Sequence, residues 1–485
     1  MAYTEAPTTV RGATGRAHTP SHHAVALVAI CLGYFMIILD ATIVTVALPN
    51  MAAELGASVA GLQWVVDGYT LVFAALLLTG GALGDRLGGK GVFVAGLALF
   101  TGASALCGLA PTLWLLVAFR VAQGLGAALL APTSLALLRH TYADPAARAR
   151  ATGVWGGIAG IAAATGPVLG GALVAAMSWR DVFLINVPIG LLGIALTVRF
   201  VARAPRQARR GLDPAAQAAG IVALGLLTFA CIEGGARGWR SPLILGALGG
   251  SVLATVAFVA VERRGTSPML PLGLFSRPAV AAPTVVGLLI NFGFYGQLFV
   301  INLFFQQVRG YSALTTGLAL LPEAGVVALS SFVSGRVAGR VGPRAPMVIG
   351  LAAGGAGLLA LVLVGTATAY PVVGVILLAV GFGMSFTMPA MTAAVMEAAP
   401  PERAGIASAM LNAARQMGGV LGVALLGALV SRHSGFLPGM HAAMAIAGVA
   451  FLAGCALTLR TVPQGRQGWV LTRMMPKKTI RIPSH

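Results

Sequence analysis

The chain has 485 residues, of which 58% are hydrophobic and only 9% charged, and it carries a formal net charge of +19. Soluble domains hold roughly 25% charged residues, so a mean hydropathy of +0.89 excludes an ordinary water-soluble enzyme and points to an all-α integral membrane protein. The excess Lys and Arg lie in short loops rather than in a basic domain, which argues against a nucleic-acid partner.

Apolar runs of about 20 residues, long enough to cross a hydrocarbon core about 30 Å thick, occupy 24–48, 61–82, 92–110, 113–137, 151–176, 181–200, 214–233, 242–261, 280–305, 312–334, 346–365, 371–396, 405–430 and 440–460. Fourteen spans put both termini on one side. With that side inside, 25 of the 32 Lys and Arg fall in inner segments (Arg199 and Arg460 counted there, at inner span ends), 5 outside and 2 deep within spans. This asymmetry predicts cytoplasmic termini. The first apolar stretch is too long for a cleavable leader and runs into a multi-span chain. His22 and His23 precede it and read as solvated tail residues, and the basic tail after Arg466 is predicted to meet anionic lipid headgroups. Cys31, Cys107, Cys231 and Cys455 sit singly in different spans, so neither a disulfide framework nor a metal site is implied, and no cofactor is expected.

Taken in order, the first span holds Asp40 in "LDATIVTVALP", about eight residues inside the outer end, or some 12 Å deep at 1.5 Å per residue. A carboxylate there costs roughly 2.5–3.5 kcal/mol on insertion. Asp67 in the second span lies nearer the outer interface, where it reads either as a guard of the outer mouth or as a solvated acid. The second span ends in "GALGDRLGGK", with Gly81, Asp85, Arg86, Gly88 and Lys90 in a short inner loop. That loop satisfies most of a P-loop pattern, but Gly91 stands where Ser or Thr is needed and no strand precedes it.

Arg120 in the fourth span lies at a depth similar to that of Asp40, so the two can meet. Pairing in the bundle interior is how buried charges are tolerated. A static pair that sets helix register and a titrating pair both fit. Gly166, Pro167, Gly170 and Gly171 form "GPVLGG" in the fifth span, a pattern that predicts a kink with close packing. Asn186, Asn291 and Gln306 are candidates to line a cavity or to bond between helices. Glu233, near an outer end, reads as solvated. Glu323 in "LLPEAG" is the second deep carboxylate, for proton or substrate binding or a static hydrogen bond. Arg415 in "NAARQMGG" is the other in-span cation; it and Asp67 are further candidates for the substrate cavity, and its pairing with Glu323 is left open.

The second half repeats the first. "GALGDRLGGK" (81–90) and "GRVAGRVGPR" (335–344) share a pattern at an offset of 254, the latter including Arg340 and Arg344. "QGLGAALLAP" and "VGFGMSFTMP" pair at 257, and "GPVLGG" and "GGVLGV" at 252. Ordered matches at nearly one offset describe a duplicated six-span unit, which is a transporter signature. The expected division is a tail over 1–23, a first six-helix bundle over 24–200, linkers with two inserted spans over 201–279, a second bundle over 280–460 and a basic tail over 461–485.

With these motifs the chain resembles the fourteen-span drug/proton antiporter branch of the major facilitator superfamily, and the methylenomycin-resistance-like exporters in particular. "LDATIVTVALP" is similar to the branch's first-span motif, "LQWVVDGYTL" to its second-span entry and "GALGDRLGGK" to the superfamily loop. "RVAQG" is similar to the fourth-span basic motif, "GPVLGG" to the antiporter motif and "WRDVFLINVP" to the sixth-span entry. The pattern departs at Gly89, usually basic, and at Gly339, where the second loop copy lacks the acid.

The resemblance implies a major facilitator fold of two six-helix bundles and proton coupling through Asp40 and Arg120. It also implies a loop that stabilises the outward-facing state and a fifth-span motif typical of antiporters. The expected function is proton-driven export of a small lipophilic, possibly cationic drug or antibiotic across the plasma membrane by a monomer. Export or import of an endogenous metabolite by the same fold is the alternative. A channel or embedded enzyme is disfavoured, since no nucleophile or metal cluster is visible.

Overall fold

The computed structural model describes residues 20–142, 144–202, 213–265, 272–400, 404–432 and 435–464. Most of the Arg-rich linker and the basic tail therefore lie outside the described residues. All fourteen expected spans are helical, and no strand occurs among the described residues. They are α1 (His22–Leu55), α2 (Val59–Leu87), α3 (Gly89–Gly108), α4 (Leu113–Thr141), α5 (Ala146–Ala176), α6 (Asp181–Phe200), α7 (Pro214–Arg237) and α8 (Pro242–Arg264). The second series is α9 (Pro278–Val308), α10 (Ala313–Val341), α11 (Arg344–Leu363), α12 (Tyr370–Ala398), α13 (Ile406–Ser431) and α14 (Phe436–Thr461). Helix is dictated by the solvent, because lipid offers no partner to a free backbone amide or carbonyl.

Short polar side chains start several helices. The hydroxyl of Ser58 accepts from Gly61 N, Asp144 Oδ2 from Ala147 N, and Asp213 Oδ1 from Ala216 N, as N-caps do. The link between α2 and α3 is a single residue, Gly88, at φ +102°. Helix α1 reaches back to Pro20. His22 and His23 are therefore not free tail residues: they lie on helix, edge-on to Phe200 and tilted on Tyr142.

Packing follows the sequence repeat. Within the first series α1 packs on α5 and α6, α2 on α4, and α3 on α4 and α6. Within the second, α9 packs on α13 and α14, α10 on α12, and α11 on α12 and α14. The two series meet along two seams, α2 with α13 and α5 with α10. Helix α7 lies along the first seam, touching both α2 and α13, and α8 packs mainly on α7. The inserted pair thus covers one seam and leaves the other bare.

Three helices depart from regular α-helix, the first being α6, where Ile185 separates Asp181–Leu184 from Asn186–Phe200. Leu320 separates two helical segments of α10, Ala313–Ala319 and Leu321–Val341, and α9 ends in a π-helical turn, Phe304–Val308. The break in α10 places Glu323 in the first turn of a helical segment rather than mid-helix.

Candidate functional site

Asp40 lies 0% and Arg120 1% exposed, and they form an ion pair through Arg120 Nη1 and Asp40 Oδ2. Gln123, one turn beyond Arg120, donates from Nε2 to Asp40 Oδ1 at 2.7 Å and to Ser104 Oγ at 2.8 Å. Its Oε1 in turn accepts from Arg120 Nη1 at 2.7 Å. Asn186 adds a longer bond from Nδ2 to Asp40 Oδ1, 3.3 Å. Arg120 Nε donates to the Val65 carbonyl at 2.9 Å, and the guanidinium lies 4.4 Å from the Tyr69 ring centroid. Five helices (α1, α2, α3, α4 and α6) thus close one polar cluster. Buried charges survive in this form, paired and with their remaining hydrogen-bonding positions filled.

A small, partly open cavity of about 50 Å³ lies between the two series. Its walls include Ile38, Ala41, Tyr69, Thr70, Tyr295 and Gln416. Tyr69 separates the ion pair from this space: its ring meets Arg120, lines the cavity, and its hydroxyl donates to the Ile37 carbonyl at 3.2 Å. The charge state of the pair can therefore reach the wall through one side chain.

The cavity is shut at the end where α1 stops and α2 begins, and loose at the basic end, where α1 begins and α14 stops. At the closed end Gln63 Nε2 donates to the carbonyls of Val423 and Ala424, at 2.8 and 2.7 Å, and Gln306 Nε2 to the Val46 carbonyl at 3.0 Å. Backbones also touch there: a Cβ on Gly171 would lie 2.6 Å from the Ala313 carbonyl oxygen, and one on Gly317 would collide with the Pro167 carbonyl. Nearer the basic end the same seam relaxes: a Cβ on Gly160 would lie 3.8 Å from Ala328 Cα, and one on Gly153 or Gly156 would meet no neighbouring helix within 4 Å.

Two more acids are buried. Glu323 is 2% exposed, and neither carboxyl oxygen has a hydrogen-bond partner. Gln297 is near enough to interact with it, yet both polar atoms of that amide are also unpartnered. The open question of Arg415 is answered against pairing: its guanidinium meets Asn412 Oδ1 at 3.2 Å and Met388 Sδ at 3.5 Å, not Glu323. Asp67 is 0% exposed, so the solvated reading fails. The reason is tertiary, since α7 and α13 cover that part of α2. Asp67 Oδ1 accepts from Thr70 Oγ1 at 3.2 Å and Oδ2 has no partner. Glu233 is likewise not solvated. It accepts from Trp64 Nε1 at 3.2 Å and from Arg237 Nε at 2.7 Å.

Residues 30–423 match the model of the Major Facilitator Superfamily. The chain belongs to the major facilitator superfamily. It is 38% identical over 426 residues to the methylenomycin A resistance protein of Bacillus subtilis (strain 168), covering 88% of this chain and 91% of that protein. It is 39% identical over 406 residues to the multidrug resistance protein Stp of Mycobacterium tuberculosis, covering 84% and 75%. Among solved structures, a bacterial homolog of the human lysosomal transporter Spinster, described as inward-facing and unoccupied, superposes with a TM-score of 0.65 at 17% identity. That match covers 92% of this chain and 98% of that one, and shows the shared fold.

The superfamily loop is shorter than its motif implies. Gly81, Asp85 and Arg86 belong to the last turns of α2, and only Gly88 is outside a helix. Lys90 Nζ donates to the Val198 carbonyl at 2.9 Å, and Arg344 Nη2 to the Leu459 carbonyl at 2.7 Å. Each thereby ties the third helix of its series to the C-terminal end of the sixth, where cations are favoured. Arg340 is exposed in the last turn of α10. In the fifth-span motif, α5 runs unbroken through Pro167. Gly166 and Gly170 press against Thr42 and Ile43 of α1 while Gly171 faces α10. Close packing is as expected, and it clamps α5 between the two series.

Of the cavity candidates, Asn186 faces Asp40 instead, and Asn291 Nδ2 donates within its own helix to the Gly287 carbonyl at 2.8 Å. Gln306 makes the interhelical bond to Val46. Sequence reasoning passed over Gln123, Ser104, Tyr69, Gln63 and Gln297. A polar residue one turn from Arg120 was the available signal for Gln123. No local pattern marks the others.

Proposed function

We propose that the protein exports lipophilic drugs or antibiotics across the plasma membrane in exchange for protons, by alternating access, as a monomer with both termini in the cytoplasm. The names of its relatives support drug export, and the charge asymmetry makes the basic end cytoplasmic. On that orientation the cavity is closed to the outside, an inward-facing arrangement.

The observation that carries the reading is the sealed Asp40–Arg120 pair beside a cavity wall. Desolvation favours a neutral carboxyl and the guanidinium favours a charged one, so the balance between them is open to conformational control. When Asp40 takes a proton the ion pair is lost. Gln123 and Asn186 can still hydrogen-bond the carboxyl, while Arg120 is freed to shift against Val65 and Tyr69. Both α1 and α2 line the cavity, so protonation is felt where substrate sits. Glu323 is the second proton carrier in this scheme, and Asp67 lies beside the outer closure. One charge crossing 100 mV supplies about 2.3 kcal/mol, enough for roughly a fifty-fold gradient of a neutral substrate per proton.

The test is drug-triggered proton release from inverted vesicles. Wild-type vesicles release protons on drug addition and Asp40→Asn vesicles do not, although the variant still inserts. Undiminished coupling in the variant would refute the role.

A further inference from the structure

The acids of this protein do not face its cavity. Asp40 is neutralised by Arg120, and Asp67 and Glu323 are sealed among helices. Arg415 differs. It is partly exposed, and the titratable groups within electrostatic reach of it are the phenols of Tyr34 and Tyr295. Its hydrogen-bonding contacts are the neutral Asn412 and Met388 described above, and its Nε has no partner. Among the described residues no carboxylate pairs with it.

The surroundings are a lipophilic ligand's complement. Tyr295 and Gln416, the residue after Arg415, line the cavity. Tyr34 lies one turn before the wall residue Ile38 and is stacked on Trp155 at 3.8 Å between centroids. Arg415 is thus next in sequence to a wall residue and within electrostatic reach of two phenols, one on the wall and the other stacked on Trp155. A guanidinium withdrawn from bulk water without a counter-charge is costly, and its planar fork matches a carboxylate with two parallel hydrogen bonds.

We infer that the exported compounds carry a carboxylate, bound by Arg415 while their apolar body lies against Tyr34, Trp155 and Tyr295. This rests on the export reading and replaces the expectation of a cationic drug. It also fits the energetics, because an anion leaving a cell that is negative inside moves down the electrical gradient.

The experiment uses the full chain in nanodiscs and two lipophilic acids, fusidate and indomethacin, each beside its methyl ester. Calorimetry should show each acid binding at least roughly tenfold tighter than its ester, which is one good charge-assisted contact. Arg415→Gln should erase that preference and leave ester affinity unchanged, and Arg415→Lys should restore part of it. In proteoliposomes, an inside-negative potential should speed efflux of the acids more than of the esters. Equal binding of acid and ester by the wild type, absence of acid binding, or equal weakening of both by Arg415→Gln overturns the inference. Cellular accumulation of the esters and of ethidium separates the two readings. Export of these compounds without acid preference removes only the carboxylate, whereas no effect on any compound removes drug export itself.

Discussion

The two halves share a scaffold and differ in chemistry. Lys90 and Arg344 stand at matching positions of the repeat and make the same bond, each to a carbonyl near the end of the sixth helix of its series. Asp67 and Glu323 also match: they are 256 residues apart, within the 252–257 span of the repeat, and both are buried acids with an unpartnered oxygen. The ion pair has no such copy. Positions 254–257 residues beyond Asp40 include Gln297, and those beyond Arg120 run from Gly374 to Leu377. The first half therefore holds a closed, charge-balanced cluster. Each half also holds a buried acid in no ion pair, Asp67 and Glu323, and the second adds a cation in none, Arg415. Helix packing tolerates duplication because it needs only shape, whereas a buried charge is stable only with its particular partner.

The contrast can be broken at its strongest point first. Replacing Asp40 with Ala strands Arg120 in the core, at a cost of about 3–5 kcal/mol for an uncompensated buried charge. Yield and thermal stability should collapse together, and should fall less for Asp40→Asn, which leaves the same charge unpaired but keeps a hydrogen bond with Gln123 and fills the space, while coupling is lost in both. Equal thermal stability of the Ala variant would deny that the cluster is balanced.

Next comes the seam between the halves. A Leu at Gly317 cannot coexist with the Pro167 carbonyl, so Gly317→Leu should hold the outer closure open. Labelling of a cysteine placed at Thr45 by an impermeant outside reagent should rise roughly tenfold, the shift expected from about 1.4 kcal/mol between two states. Unchanged labelling would mean that closure does not depend on this contact.

Glu323 should behave unlike Asp40. Its oxygens have no bonds to lose, so Glu323→Gln is expected to leave the unfolding temperature level or raise it, while lowering the protons released per drug. A loss of stability as large as that of the Asp40 variant would erase the distinction between halves.

The smallest effects belong to the shared scaffold. Lys90→Ala and Arg344→Ala each remove one cation from a helix end, worth about 0.5 kcal/mol, and the two should lower thermal stability by similar small amounts. A large effect from one alone would show that the repeat is not equivalent there.

Much of this was legible in the sequence because lipid leaves few choices. Span length, the even count and the loop charges are local properties, and all fourteen helices occur where the apolar runs fall. The meeting of Asp40 and Arg120 was also legible, since equal depth is a sequence measure when the rise per residue is known. Asp67 and Glu233 were misjudged for a related reason. Depth says how far a residue lies from the membrane surface, not whether another helix covers it: α7 and α13 lie over Asp67, and Trp64 of α2 meets Glu233 on α7.

The sequence alone determined the helices, the duplication and the identity of the paired charges, because each follows from hydrophobic length, charge and spacing along one chain. Only the tertiary structure decided which acids face protein instead of water, that α7 lies along one seam, and that Arg415 does not pair with Glu323. Those outcomes depend on which faces of distant helices meet, and the surface a helix presents to lipid and the surface it presents to another helix are both apolar.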